Sequence, residues 1–164
     1  MNYICIGKIV NTHGIKGEVR ILSDFPYKKE IYATDTKLYI GRKKECVVVT
    51  SFRRHKMFDM LTFNGIDNIN DVIKYKGEFI YFNRDEVTLP GFIDEDYIGL
   101  GVYEDERYIG MVTSILKSKP HDILVVEKGH TRNLIPNIPT FIKNIDIDNK
   151  QIQIESIEGL IHED

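Results

Sequence analysis

The strongest constraint in this 164-residue chain is a recurring pattern of short runs in which apolar and polar residues alternate, each cut off by a turn. Glu18–Leu22 sets Val19 and Ile21 on one face and Glu18 and Arg20 on the other. A period of two belongs to a strand with one buried side and one solvated side. Residues 3–12 read as a strand that ends in the turn His13-Gly-Ile-Lys-Gly17. Lys37–Ile40 and residues 45–52 face each other across Gly41-Arg-Lys-Lys44, residues 57–63 repeat the alternation, and residues 78–82 form another strand. A single short helix is expected where Asn68 can cap, Ile69, Val72 and Ile73 share a helical face, and Gly77 can stop it. Composition points the same way. Isoleucine is abundant and Ala33 is the single alanine, whereas alanine is the best helix former and isoleucine suits a pleated sheet.

The second half repeats the design. Residues 98–103, 108–116, 123–127, 133–135, 142–147 and Gln151–Ile154 read as strands, the last two flanking a tight turn at Asp148-Asn-Lys150. Pro136 and Pro139 cannot donate to a ladder and mark a strand end or a sheet edge. Between the halves, Leu89-Pro-Gly91 and the acids Asp94-Glu-Asp96 interrupt the pattern. The expected fold is all-β: two small β-barrels with one short helix, over residues 1–84 and 97–164, joined by a linker at 85–96.

Charge divides at the same place. Residues 1–82 carry a net charge of +5 and residues 83–164 one of −8. A basic half suits nucleic acid and an acidic half suits a basic protein, although drift of surface charge explains the split about equally well. No apolar run approaches the roughly 18 residues that span a bilayer, and the N-terminus lacks the features of a secretory signal. Two cysteines, Cys5 and Cys46, exclude a disulfide scaffold and suit the cytoplasm. Cys5, in an apolar strand, reads as a buried inert thiol. His121-Asp122 has no nucleophile elbow beside it and reads as a turn. The histidines lack metal-ligand spacing, and no phosphate loop or dinucleotide fingerprint is present. Neither a catalytic site nor a cofactor is expected.

Two segments stand out as candidate binding sites. In the turn at 13–17, Gly14 and Gly17 permit positive φ, and His13 and Lys16 project with Arg20 beyond them, an arrangement able to meet phosphate oxygens. Glu18 is expected to hold Lys16 or loop amides. Arg53-Arg-His-Lys56 is the densest basic run, and Arg53, Arg54 and Lys56 are candidates for phosphate pairing, with stacking by the arginines. By spacing alone, both segments also fit ordinary charged hairpin tips.

Gly7-Lys-Ile-Val-Asn-Thr-His-Gly-Ile-Lys-Gly-Glu-Val-Arg20 resembles the opening signature of the bacterial ribosome maturation factor RimM family. Phe52-Arg-Arg-His-Lys56, Leu61-Thr-Phe-Asn-Gly-Ile66 and Tyr75-Lys-Gly-Glu-Phe-Ile80 follow in its order. Gly110-Met-Val, His121-Asp-Ile-Leu-Val-Val126, Leu134-Ile-Pro136 and Ile157-Glu-Gly-Leu160 resemble its PRC-barrel domain. The resemblance implies a six-stranded N-terminal barrel of the translation-factor and reductase type and a C-terminal PRC barrel. It implies a monomeric, non-catalytic chaperone of late small-subunit assembly and ribosomal RNA processing. Such a protein binds the head of the immature subunit, its RNA and the head ribosomal protein S-nineteen. His13, Gly14, Lys16, Gly17, Arg20, Arg53, Arg54 and Lys56 would then serve the RNA or ribosome contact. Phe92 and Ile93 stand where the family often carries two adjacent tyrosines implicated in the ribosomal-protein contact. A general RNA-binding translation factor and a flavin-binding barrel enzyme stay open as alternatives.

Overall fold

Ile4, Ile6 and Ile9 point inward along the first strand, β1 (Tyr3–His13), and are buried, while Cys5 and Lys8 face out. The computed structural model describes residues 1–162. It divides into two units, Met1–Pro90 and Gly91–Asp164.

In the first unit, β1 is followed by β2 (Glu18–Leu22), a four-residue helix α1 (Lys28–Ile31), β3 (Lys37–Ile40), β4 (Glu45–His55), β5 (Phe58–Phe63) and β6 (Phe79–Asn83). The strands close into a barrel in the order β1-β2-β5-β4-β3-β6, with every pairing antiparallel. Closure removes the unpaired edges that an open sheet would expose. Gly7 lies at a register shift of β1 against β6. A Cβ there would meet the Leu22 carbonyl oxygen at 2.5 Å and the Ser23 Cβ at 2.9 Å. Only glycine lets the chain approach this closely. Ile21, Leu38, Val49, Leu61, Ile80 and Phe82 fill the interior.

The helix expected at 68–77 is absent. Ile69–Asp71 and Ile73–Tyr75 form two successive 3₁₀ turns instead. Asn68 caps the first, its side chain accepting from the Asn70 amide at 2.9 Å, and Gly77 ends the segment at φ 87°. The buried side chains are Val72 and Tyr75, three apart, whereas Ile73 is exposed. A repeat of three is the 3₁₀ period. The β-branched residues disfavour an α-helix, and a segment this short cannot offset the cost of nucleating one.

The second unit begins with a short helix, α2 (Asp94–Tyr97), which overlaps the end of the stretch expected to be linker. Then come β7 (Gly101–Glu104), β8 (Arg107–Leu116), β9 (Ile123–Lys128), β10 (Thr131–Pro136), β11 (Ile142–Asp146) and β12 (Gln151–Ile154). They form one six-stranded sheet in the order β10-β9-β8-β7-β12-β11. The β7–β12 pairing is parallel and joins residues about fifty apart in sequence. Val102, Val112, Leu124, Val126, Ile135, Ile152 and Ile154 share a single core. Pro136 ends the edge strand β10, where its missing N–H interrupts no ladder. The expected turn between β11 and β12 is present: Asp146 accepts from the Asn149 amide at 3.1 Å and from its side chain at 2.7 Å.

Candidate functional site

The pairing of β2 with β5 and of β5 with β4 brings the two candidate segments together. Arg20, Met60 and Arg53 stand in one cross-strand row, and Ile21, Asp59 and Arg54 in the next. Successive side chains on a strand point to opposite faces. Neighbours in sequence, Arg53 and Arg54 therefore belong to different faces and different ion networks.

On the outer face, Arg53 grips Glu18 with two hydrogen bonds, Nε to Oε2 at 2.9 Å and Nη2 to Oε1 at 2.8 Å. This fork geometry suits a carboxylate. Hydrogen bonding from Arg53 holds the Glu18 carboxyl below its ordinary range. Glu18 thus serves Arg53, not Lys16 or the loop amides as expected from sequence. Arg20 Nη2 donates to His13 Nδ1 at 2.7 Å. A guanidinium can only donate, so this bond requires neutral His13 with its proton on Nε2. Arg20 also lies over the Phe58 ring at 5.7 Å, and its buried Nε has no hydrogen-bond partner. The His55 ring stands 6.0 Å from that of His13.

The second network surrounds Asp59, which is fully buried. Its carboxylate accepts from Tyr32 Oη at 2.8 Å, Arg54 Nη1 at 3.1 Å and Lys28 Nζ at 3.0–3.1 Å. A buried carboxylate is tolerable only with such donors. Burial, reinforced by the charge of Asp59, pushes the Tyr32 phenol far above its ordinary range, so it donates without ionising. Lys28 and Tyr32 bracket α1, a helix whose N-terminus has no side-chain cap. Asp59 thereby ties α1 to β5. Arg54 is a structural partner of this carboxylate, not the equivalent of Arg53.

The turn at 13–17 is anchored at one end and open at the other. Gly17 is buried at φ 93°, and a Cβ on it would meet the Ile66 carbonyl oxygen at 3.1 Å and the Asn68 amide at 3.3 Å. The Ile69 amide also donates to the Ile15 carbonyl at 2.9 Å. Gly17 docks the turn and offers no surface to a ligand. Gly14, at φ 68°, has nothing near its Cα hydrogen, and Ile15 and Lys16 are exposed. Lys56, at φ 55°, is exposed in the β4–β5 turn. Among the described residues neither Lys16 nor Lys56 has a carboxylate partner. The surface thus combines pre-positioned Arg20 and Arg53 with two unpaired lysines. His55 and Phe58, missed by sequence reasoning, belong to it. Their approach to His13 and Arg20 depends on the strand order, for which no local signal exists.

In the second unit the pair Phe92-Ile93 is split. Ile93 is only 4% exposed, and Phe92 is 41% exposed with its ring 5.8 Å from that of Tyr97, edge to face. Asp96 caps α2, its carboxylate accepting from the Ile93 amide at 2.9 Å. Asp94 and Asp122 share Lys117, at 2.6 Å and 3.1 Å. Ile93 therefore presents no surface for a partner, and Asp94 and Asp96 already have local work.

Cys5 corrects its expected burial: it is exposed, as is Cys46, because alternation along β1 turns it outward. Among the described residues no cluster of His, Cys, Asp and Glu could hold a metal ion, and no helix is long and apolar enough to cross a membrane.

Comparison with known proteins places this geometry in context. The model of the RimM N-terminal domain matches residues 4–87, and that of the RimM PRC barrel domain matches residues 94–160. The ribosome maturation factor RimM of Staphylococcus haemolyticus is 41% identical over 95% of this chain and 97% of its own. That of Streptococcus agalactiae serotype Ia is 38% identical over the full length of both. A solved RimM structure from Pseudomonas aeruginosa, described as a 16S ribosomal RNA processing protein, is 21% identical, with a TM-score of 0.48 over 95% of this chain and 98% of that one. With both domain models matched in order and such relatives spanning nearly every residue, the chain belongs to the ribosome maturation factor RimM family.

Proposed function

We propose that this chain is a non-catalytic assembly factor of the cytoplasm that binds the head of the immature small ribosomal subunit. The first unit meets ribosomal RNA. The second unit meets the basic head protein S-nineteen. The observation that carries the RNA contact is the pair of unpaired lysines, Lys16 and Lys56, beside the fixed guanidinium groups of Arg20 and Arg53. Fixed cations contact phosphates without first paying for their own ordering, and free lysines add charge that releases counterions. Exposed Phe92, seated against Tyr97, supplies the apolar anchor of the protein contact. No covalent step is needed: a ligand that prefers one conformation of the head shifts the population toward it.

Sedimentation with immature and mature small subunits tests this. The full chain should travel with immature subunits and not with mature ones. Lys16→Gln with Lys56→Gln should weaken that association and flatten its salt dependence, since about two phosphate contacts are lost. Equal association with mature subunits, or an unchanged salt slope in a folded double variant, overturns the reading.

A further inference from the structure

We propose that the outward face of β1 and β6, with the β3–β4 turn, is a second RNA surface, one that takes unpaired bases by stacking on Phe79 and Tyr81. The inference rests on the reading of this chain as an RNA-binding factor and assigns it a different contact from the one above. In the barrel order, β6 lies between β1 and β3, away from the β2-β5-β4 segment that carries Arg20 and Arg53.

Phe79 and Tyr81 are two residues apart on β6, so both point outward, while Ile80 and Phe82 between and beyond them are buried. The strand rise separates their Cα atoms by about 7 Å. Phe79 is 51% exposed. A large aromatic side chain left half in water at the start of a strand is an apolar surface without a full cover. Its neighbours are cations. Lys8 stands directly opposite Phe79 on β1, with its ammonium 5.7 Å from the ring. Lys44, at φ 55° in the β3–β4 turn, sets its ammonium 4.1 Å from the Tyr81 ring and 5.7 Å from that of Tyr3. Among the described residues, neither Lys8 nor Lys44 has a carboxylate partner. Two carboxylates flank the face: Glu86 accepts from the Tyr39 hydroxyl at 2.6 Å and pairs with Lys37 at 3.8 Å, and Glu78 turns toward Gly41 in the β3–β4 turn, where the basic run Arg42-Lys-Lys44 outweighs it.

Exposed Phe79 and half-buried Tyr81, whose ring Lys44 covers until a base displaces it, with Lys8 and Lys44 free of carboxylate partners, fit single-stranded RNA. Splayed bases stack on such rings, and lysines meet the phosphates between them. A duplex keeps its bases stacked on each other and gains nothing from the rings. A protein partner would leave the lysines without counter-charges unless it were acidic. The charge of the face therefore selects the nucleic acid.

The test uses the full chain and an eight-nucleotide oligouridine, with a blunt RNA duplex as comparison. The oligomer should bind, and its 5-bromouridine form should photocrosslink to the peptide that carries Phe79 and Tyr81. Phe79→Ala should weaken binding at least fivefold. Phe79→Leu, which keeps apolar bulk but lacks a π face, should weaken it similarly, and Phe79→Tyr should retain it. Lys8→Gln with Lys44→Gln should lower the salt slope by about 1.4. Leu replacing Phe79 without loss, a crosslink at residues 13–17 or 53–56, or no binding of the oligomer overturns the proposal. Lys16→Gln with Lys56→Gln should weaken oligouridine binding less than Phe79→Ala does and should leave the crosslink on the peptide that carries Phe79 and Tyr81. If that variant also keeps its hold on immature subunits, the first surface fails while this one stands.

Discussion

Asp59 and Glu18 both hold an arginine from β4, in adjacent rows of the same barrel, and the two pairs answer to different physics. Glu18 and Arg53 meet near the surface, where the guanidinium is half exposed and water screens the pair in part, although the carboxylate is only 16% exposed. Asp59 lies inside, where its charge would be prohibitive without Lys28, Arg54 and Tyr32. The surface pair positions a guanidinium for an outside ligand. The interior network holds α1 on the barrel. One residue of sequence separates Arg53 from Arg54, and the pleat of the strand separates their roles.

Breaking the interior network should have the larger effect on stability. Asp59→Ala removes the counter-charge of Lys28 and Arg54 and strands the buried Tyr32 hydroxyl. Urea unfolding should show a loss of about 3 kcal/mol. A shift near zero would mean that α1 is held by its buried Ile31 alone. Arg54→Glu should cost less, about 1–2 kcal/mol, because Lys28 and Tyr32 still satisfy Asp59 and the new side chain can turn toward water.

Arg53→Glu should reverse the ranking. Its melting temperature should fall by less than that of Arg54→Glu, yet binding to immature subunits should fall along with the salt slope. If Arg53→Glu unfolds the barrel as readily as Arg54→Glu, the two faces are not separable. The smallest effect is in pH. The Glu18 carboxyl is lowered by its bond to Arg53, so the pair stabilises above the ordinary glutamate value of 4.5 and loses its contribution as pH falls through the lowered one. The difference in melting temperature between the parent and Arg53→Gln should therefore shrink in acid. A difference that grows in acid would reverse the sign and exclude Glu18 as its origin.

Legibility from sequence followed the range of the interactions. The hairpin at β11–β12 and the alternation of β2 depend on residues a few positions apart, and both were readable. The 3₁₀ turns were misread as a helix because Ile69, Val72 and Ile73 fit a helical face, while burial chose Val72 and Tyr75. α1 carried no cap or periodic signal, since Asp59, nearly thirty residues downstream, is what holds it. In the candidate site, Lys16 and Lys56 were legible as polar turn residues. Gly17 was legible only as a turn residue, and its packing against Ile66 makes it part of the scaffold. Phe92 and Ile93 read alike in sequence, as an apolar pair able to pack or to anchor a partner, because hydrophobicity shows that a residue can be buried but not whether it is.

By itself, the sequence determined the two-residue period, and with it an all-β chain, the turns that punctuate it and the change of charge sign between its halves. These are local properties, set by backbone sterics and by which side chains water rejects. Only the tertiary structure decided the closing of β1 on β6, the parallel pairing of β7 with β12, and the burial of Asp59 against Lys28 and Tyr32 of the distant α1 segment. It also decided which carboxylate each arginine meets, although both side chains are about half exposed. Strand order and register bring together residues tens of positions apart, and a slip of one residue would exchange every inward side chain for an outward one.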